Sequence, residues 1–153
     1  MKWVWIPFIK FNPQDLYECL ALRQKVFGLE QNCLYLDEDG LDLKAWHLMG
    51  WKKNKLVTYL RVTLPNTRFK EYSIGRVVTA QEIRGKGCGK EITKQALKCI
   101  EKAFGNVSIR ISAQAYLKKF YENFGFTCTG KEYLEDNIPH IEMLRKLNSD
   151  EKV

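Results

Sequence analysis

Arg84-Gly85-Lys86-Gly87-Cys88-Gly89-Lys90 is the stretch on which the reading of this chain turns. Ahead of it, Ile74 through Thr79 is an apolar, β-branched run that predicts a buried strand. Behind it, Cys88, Ile92, Ala96, Ile100 and Ala103 recur at helical spacing, with Lys90, Glu91, Lys94, Lys98 and Glu101 between them. The glycines therefore occupy a strand-to-helix turn and open a helix. The first turn of a helix carries unpaired backbone N–H groups and a partial positive charge. Glycines let a phosphate approach that backbone with no Cβ in the way. Arg84, Lys86 and Lys90 add full charges beside it. The expectation is a site for a phosphorylated ligand, set against the plainer reading of an exposed basic turn.

Spacing narrows the ligand. A Walker A loop needs a hydroxyl after its Gly-Lys pair, but Gly89-Lys90 is followed by Glu91. The dinucleotide fingerprint needs a longer last interval than Gly85-x-Gly87-x-Gly89 provides. The remaining pattern is Arg-x-x-Gly-x-Gly after a strand. This resembles the pyrophosphate loop of the GNAT superfamily of N-acetyltransferases, and the resemblance implies acetyl-CoA as cosubstrate.

The chain has 153 residues, 45% of them hydrophobic, enough for one compact domain spanning 1–153 with a real core. A net charge of +7 fits nucleic acid, an acidic surface or an anionic cosubstrate. No nucleic-acid recognition motif is present, and the lysines are dispersed along the chain, so no nucleic acid partner is expected. Cys19, Cys33, Cys88, Cys99 and Cys128 are scattered, odd in number and free of any C-x-x-C pair. They predict a reducing, cytoplasmic setting, and no metal site. Trp3 to Ile9 is apolar but short, proline-interrupted and without a small-residue cleavage site. It is read as a first strand, not a signal peptide or membrane span, and no membrane partner is expected.

Asn12-Pro13 predicts a helix start, with Asn12 as N-cap, and the helix should run through Leu16, Leu20, Arg23 and Phe27 to end near Gly28. An irregular acidic segment, Glu30 to Asp42, comes next. It is read either as a solvated turn or as an acidic rim that attracts a cationic amine; its glycine offset excludes a calcium loop. Strands are predicted over 45–51, over Leu56–Leu64 by period-two alternation, and over Val107–Ser112. A short helix should carry Leu117, Phe120, Tyr121 and Phe124 on one face and stop at Gly125. Strands over roughly 126–134 and 139–147 close the chain. The order predicts an α/β (α+β) domain with a central mixed sheet flanked by helices, and the resemblance to the GNAT fold implies that the sheet is mostly antiparallel. It is similar to the GNAT order, with the second of that family's early helices falling in the acidic segment.

The resemblance also implies roles. The strand before the loop would orient the thioester through backbone groups of Val77, Val78 and Thr79. Arg84, Gly85, Lys86, Gly87, Cys88, Gly89 and Lys90 would hold the pyrophosphate. Phe120-Tyr121-Glu122-Asn123-Phe124-Gly125-Phe126 resembles the family's Phe-Tyr-x-x-x-Gly-Phe element, which makes Tyr121 the acid that protonates CoA sulfur. Tyr121 also lies on an apolar stripe, and the plainer reading is a core aromatic. Gln114 falls where many relatives place an asparagine that contacts the CoA arm. Cys88, at a helix N-terminus, is either a favoured thiolate or a packing residue, the latter preferred. The general base is open among His140, His47 and Glu30.

Arg23-x-x-Val26-Phe27, Glu30-Gln31-x-Cys33-x-Tyr35-x-Asp37-x-Asp39-Gly40, Ile74-Gly75-Arg76-Val77 and Ile138-Pro139-His140 resemble the ElaA-like subgroup of GNAT proteins. The resemblance implies an acetyl-CoA-dependent N-acetyltransferase acting on a small-molecule or peptide amine by direct attack in a ternary complex. A non-catalytic acyl-CoA-binding or sensing module is the alternative, and homodimerisation is left open.

Overall fold

A computed structural model describes residues 1–31 and 36–147. Cys33 and Tyr35 lie outside the described residues. Strand β1 (Lys2–Pro7) leads through a 3-10 turn into α1 (Pro13–Arg23), whose N-cap Asn12 accepts from the Asp15 N–H at 2.8 Å. β2 (Trp46–Lys52), β3 (Lys55–Thr63) and β4 (Ser73–Thr79) come next, and with β1 they form an antiparallel sheet in the order β1-β2-β3-β4. The glycine loop then opens α2 (Cys88–Phe104). β5 (Ile109–Gln114), α3 (Lys118–Glu122), β6 (Thr127–Cys128), β7 (Tyr133–Glu135) and β8 (Ile138–Arg145) complete the chain. Their strands form a second antiparallel sheet in the order β5-β8-β6, with β7 also paired to β8. The architecture is thus α+β, mostly antiparallel and flanked by helices. Among the described residues no helix is long and apolar enough to cross a membrane.

β3 is buried along nearly its whole length because both of its faces are covered. Leu60 and Val62 pack with Ile92, Ala96 and Ile100 of α2 and with Ile111 and Met143 of the second sheet. Val57 and Tyr59 pack on the opposite face with Cys19, Leu22 and Val26 of the first helical segment. A strand in that position cannot alternate between core and solvent, so its period of two separates two cores instead.

The sequence reading of the elements needs correction at several points. The first helix ends two residues past Gly28 and widens on the way into a π-turn over Gln24–Glu30, where Gln31 N–H donates to Val26 O at 3.1 Å. Gly28 does not adopt the left-handed φ that would make it a cap. Ala103 is exposed, because a stripe at intervals of four continues to Phe104. The strand expected over Val107–Ser112 pairs only from Ile109 and runs on to Gln114. The strand expected over 126–134 is two pieces, β6 and β7, interrupted around Gly130. The acidic segment is neither a solvated turn nor a free acidic rim, because arginines from three other elements engage its carboxylates.

The two sheets meet where β4 lies beside β5. One parallel bridge, Tyr72 to Ile109, joins them there, with Arg110 N–H donating to Tyr72 O at 2.8 Å. Beyond it the strands are not paired, and a cleft opens between them.

Candidate active site

The loop is built as its glycines require. Gly85 and Gly87 both sit at φ +78°, a region costly for residues with a Cβ. Gly87 is the N-cap of α2, and the first intrahelical bond runs from Glu91 N–H to Gly87 O at 3.0 Å. The N–H groups of Cys88, Gly89 and Lys90 therefore have no partner within the helix. A Cβ built at Gly85, Gly87 or Gly89 would meet nothing within 4 Å, which leaves open room over these donors for an anion. Lys86 and Lys90 are exposed beside it.

Arg84 differs from its sequence reading, and Cys88 follows the preferred one. Arg84 turns back from the loop: its Nε donates to Thr79 O at 3.0 Å and its Nη1 pairs with Glu30. It ties the loop to the end of β4 and to the π-turn, and it occupies the carboxylate of a candidate base. Cys88 is buried, and burial raises its thiol above the ordinary range despite contacts with Thr58 and Thr79. The buried thiol is a packing residue, because desolvation disfavours the thiolate.

The cleft has a volume of about 280 Å³. It gathers Val77 of β4, Gly89 of α2, Gln114 of β5 and Tyr121 of α3 into one lining. Val78 and Thr79 are not part of that lining. Val78 is buried and pairs with Tyr59, while its carbonyl accepts from Thr58 Oγ1 at 2.9 Å. Thr79 pairs with Thr58. β4 is bulged between these pairs and the next: with Tyr59 opposite Val78 and Arg61 opposite Gly75, both Arg76 and Val77 stand opposite Leu60. Arg76 takes φ +50°, strained for an arginine in a strand. The bulge turns this stretch of β4 out of regular pairing at the open edge of the sheet.

Tyr121 is buried against Phe120 and Phe126, both edge-on, with ring centroids at 5.1 and 5.8 Å. Burial, with a smaller contribution from Tyr116, pushes its phenol up to about 12. The hydroxyl is thus held protonated at neutral pH, as a proton donor must be.

β5 divides the cleft chemically. Ile109, Ile111 and Ala113 point into the core, and Ser112 and Gln114 face the other way. On this second face stand residues that no sequence motif announced. Arg68, from the β3–β4 connection, pairs through Nη2 with Glu135 Oε1 at 2.7 Å. Glu135 Oε2 accepts from Ser112 Oγ at 3.3 Å, and Ser112 also bonds the Tyr133 hydroxyl. His140 does not line the cleft; it stands behind Glu135, Nε2 to Oε2 at 3.3 Å, while its Nδ1–H donates to Ile138 O at 2.7 Å. The other histidine is structural. His47 accepts from the Tyr59 hydroxyl at 2.7 Å and donates to Asp42 O at 3.0 Å. Burial, offset in part by Asp42, lowers it to about 4 and keeps it neutral.

The acidic segment is spent on arginines. Asp37 contacts Arg23 and Arg76, each at 2.9 Å. Asp39 contacts Arg76 at 3.4 Å and Arg61 at 2.8 Å. Asp42 contacts Arg61 at 3.0 Å and Arg23 at 2.8 Å. The six side chains close an alternating ring in which every charge has two opposite neighbours. Burial opposes ionisation of Asp39 and Asp42, but the guanidiniums outweigh it and hold both carboxyls below their usual range. A ring with no net charge cannot act as the acidic rim for a cationic acceptor. It does hold Arg76, and so the bulge, against the acidic segment.

A family model described as an acetyltransferase (GNAT) domain matches residues 41–147. The UPF0039 protein sll0451 of Synechocystis is 45% identical over 94% of each chain. The crystal structure of Escherichia coli ElaA aligns at TM-score 0.89 with 35% identity, covering 95% of this chain and 99% of that one. An acyl-CoA N-acyltransferase from Pseudomonas aeruginosa aligns at TM-score 0.90 with 38% identity, covering 94% and 98%.

Proposed function

The chain belongs to the GNAT acetyltransferase family and is ElaA-like, and on that basis we propose an N-acetyltransferase that moves an acetyl group from acetyl-CoA to a primary amine. We take residues 1–153 as one catalytic domain acting in the cytoplasm, the latter on the cysteine pattern. The observation that carries the reading is the cleft itself, which has open helix N–H groups at Gly89 on one side and a protonated phenol, Tyr121, in its wall.

In this reading the pyrophosphate lies on the N–H groups of Cys88, Gly89 and Lys90, with Lys86 and Lys90 supplying charge. The thioester lies along the bulged stretch at Val77, whose backbone supports the oxyanion. Gln114 meets the pantetheine arm. The neutral amine attacks the thioester carbon, the C–N bond forms and the C–S bond breaks. Tyr121 gives its proton to the departing sulfur, and the proton lost by nitrogen restores the phenol through solvent. His140 contributes through Glu135, as a positioning residue.

Thermal shift and turnover test this together. Acetyl-CoA at about 100 times its dissociation constant should stabilise the protein by roughly 2.7 kcal/mol, and NADPH should not. Gly89→Glu is the informative variant, because a side chain fits there without strain, whereas one at Gly87 would be forced to positive φ. It should abolish the shift while leaving the ligand-free melting temperature near wild type. Tyr121→Phe should keep the shift and lower CoA release by roughly a hundredfold or more. Turnover unchanged in Tyr121→Phe removes that residue from its role. A shift by acetyl-CoA without CoA release on any amine favours a binding module over an enzyme.

A further inference from the structure

The second face of the cleft bears on the acceptor. Its charged lining consists of Arg76, Arg68 and Glu135. Arg76 is engaged by Asp37 and Asp39. Arg68 and Glu135 are engaged with each other, from opposite sheets, through a single nitrogen–oxygen contact of 2.7 Å. Their side chains are 24% and 37% exposed, so a ligand entering the cleft can reach both. Each is also braced from behind. The Arg68 guanidinium lies 5.3 Å over the Phe69 ring, with Nη1 3.6 Å from where a Cβ on Gly75 would stand. Glu135 accepts from Ser112 Oγ. The two groups are therefore positioned independently of their mutual contact.

An acceptor carrying only positive charge would take Glu135 and leave the Arg68 guanidinium without its counter-charge. A molecule bearing an amine and a carboxylate close together replaces both halves of the pair. Its carboxylate meets the planar guanidinium, which suits two-point recognition, and its amine meets Glu135. Because Arg68 and Glu135 touch, the two ligand charges must be neighbours in the molecule.

Resting on the acetyltransferase reading above, the geometry points to a free α-amino acid as the acceptor, with its carboxylate on Arg68 and its amine on Glu135. The atoms balance as for any acetyl transfer: amino acid and acetyl-CoA yield N-acetyl amino acid and CoA thiol. Glu135 orients the amine, and Arg68 selects against amines that lack an adjacent carboxylate.

The test is CoA release from acetyl-CoA with the twenty amino acids, their carboxamides and a polyamine, backed by calorimetric binding of the same compounds to the CoA-bound protein. The expected result is at least one amino acid preferred over its own carboxamide on the order of tenfold or more in kcat/KM, with the polyamine poor. Arg68→Met should erase that preference through the acceptor KM without moving the KM for acetyl-CoA, and Arg68→Lys should restore part of it. Amides or polyamines used as well as amino acids overturn the inference while leaving the acetyltransferase intact. So does a preference that survives Arg68→Met. If no amine is turned over, calorimetry decides: absence of amino acid binding to a protein that binds CoA overturns the inference on its own.

Discussion

Two sets of arginine–carboxylate pairs lie close together in this molecule and are built differently. In the ring, the Arg23 and Arg61 side chains are each 1% exposed, and all six members contact two partners. In the cleft, Arg68 and Glu135 share one contact and both face solvent. A buried pair cannot exchange a partner without stranding a charge, so it fixes geometry. A half-exposed pair contributes little to stability and can open for a ligand. The same residue types serve as framework in one place and as a recognition element in the other, and burial makes the difference.

Removing one ring member is the strongest challenge to this contrast. Arg61→Met should lower unfolding stability by about 3–5 kcal/mol, read from the denaturant midpoint, because buried Asp42 loses one of its two guanidinium partners and Asp39 loses its closest one. A loss under about 1 kcal/mol would put the ring in the same class as the cleft pair.

Acid should act on the ring side of the comparison in two stages. His47 has its folded pKa depressed from 6.5 to about 4, so the unfolded chain binds the extra proton between these values. Stability is fully present above 6.5 and falls as pH drops towards 4, by on the order of 3 kcal/mol. Asp39 and Asp42, also depressed, add a second loss below their ordinary value of 3.8. His47→Gln should flatten the first stage and leave the second. A wild-type profile level between pH 7 and pH 4.5 contradicts the neutral, buried assignment of His47.

The smallest effect is expected in the cleft. Arg68→Met or Glu135→Gln should change stability by no more than about 1 kcal/mol, measured by the same denaturant titration. A loss as large as that of Arg61→Met would mean that Arg68–Glu135 holds the sheets together and is not free to open.

The legibility of these regions in the sequence depends on how local their information is. Gly85 and Gly87 mark the loop because φ +78° penalises other residues wherever the chain goes next. The stripe from Cys88 to Ile100 marks α2 because helix periodicity is a property of neighbours. Asp37, Asp39 and Asp42 read as a solvated or substrate-facing string because their partners come from α1, β3 and β4, which no local pattern reveals. The bulge gave no sign either, since the positive-φ position holds Arg76 and not a glycine.

Residue order was enough to establish the succession of most elements, the glycine loop at a helix start and the family, and to nominate Tyr121 as the candidate acid. It took the folded arrangement to establish that Val77, and not Val78 or Thr79, reaches the cleft, that Cys88 is a buried thiol, and that Arg84 and Glu30 are engaged with each other. The meeting of Arg68 with Glu135, across 67 positions of chain, belongs to the same class. The physical reason is that backbone conformation is set largely by residues a few positions apart. The state of a charge or a thiol depends on what is brought against it in space, and on how much water is excluded when that happens.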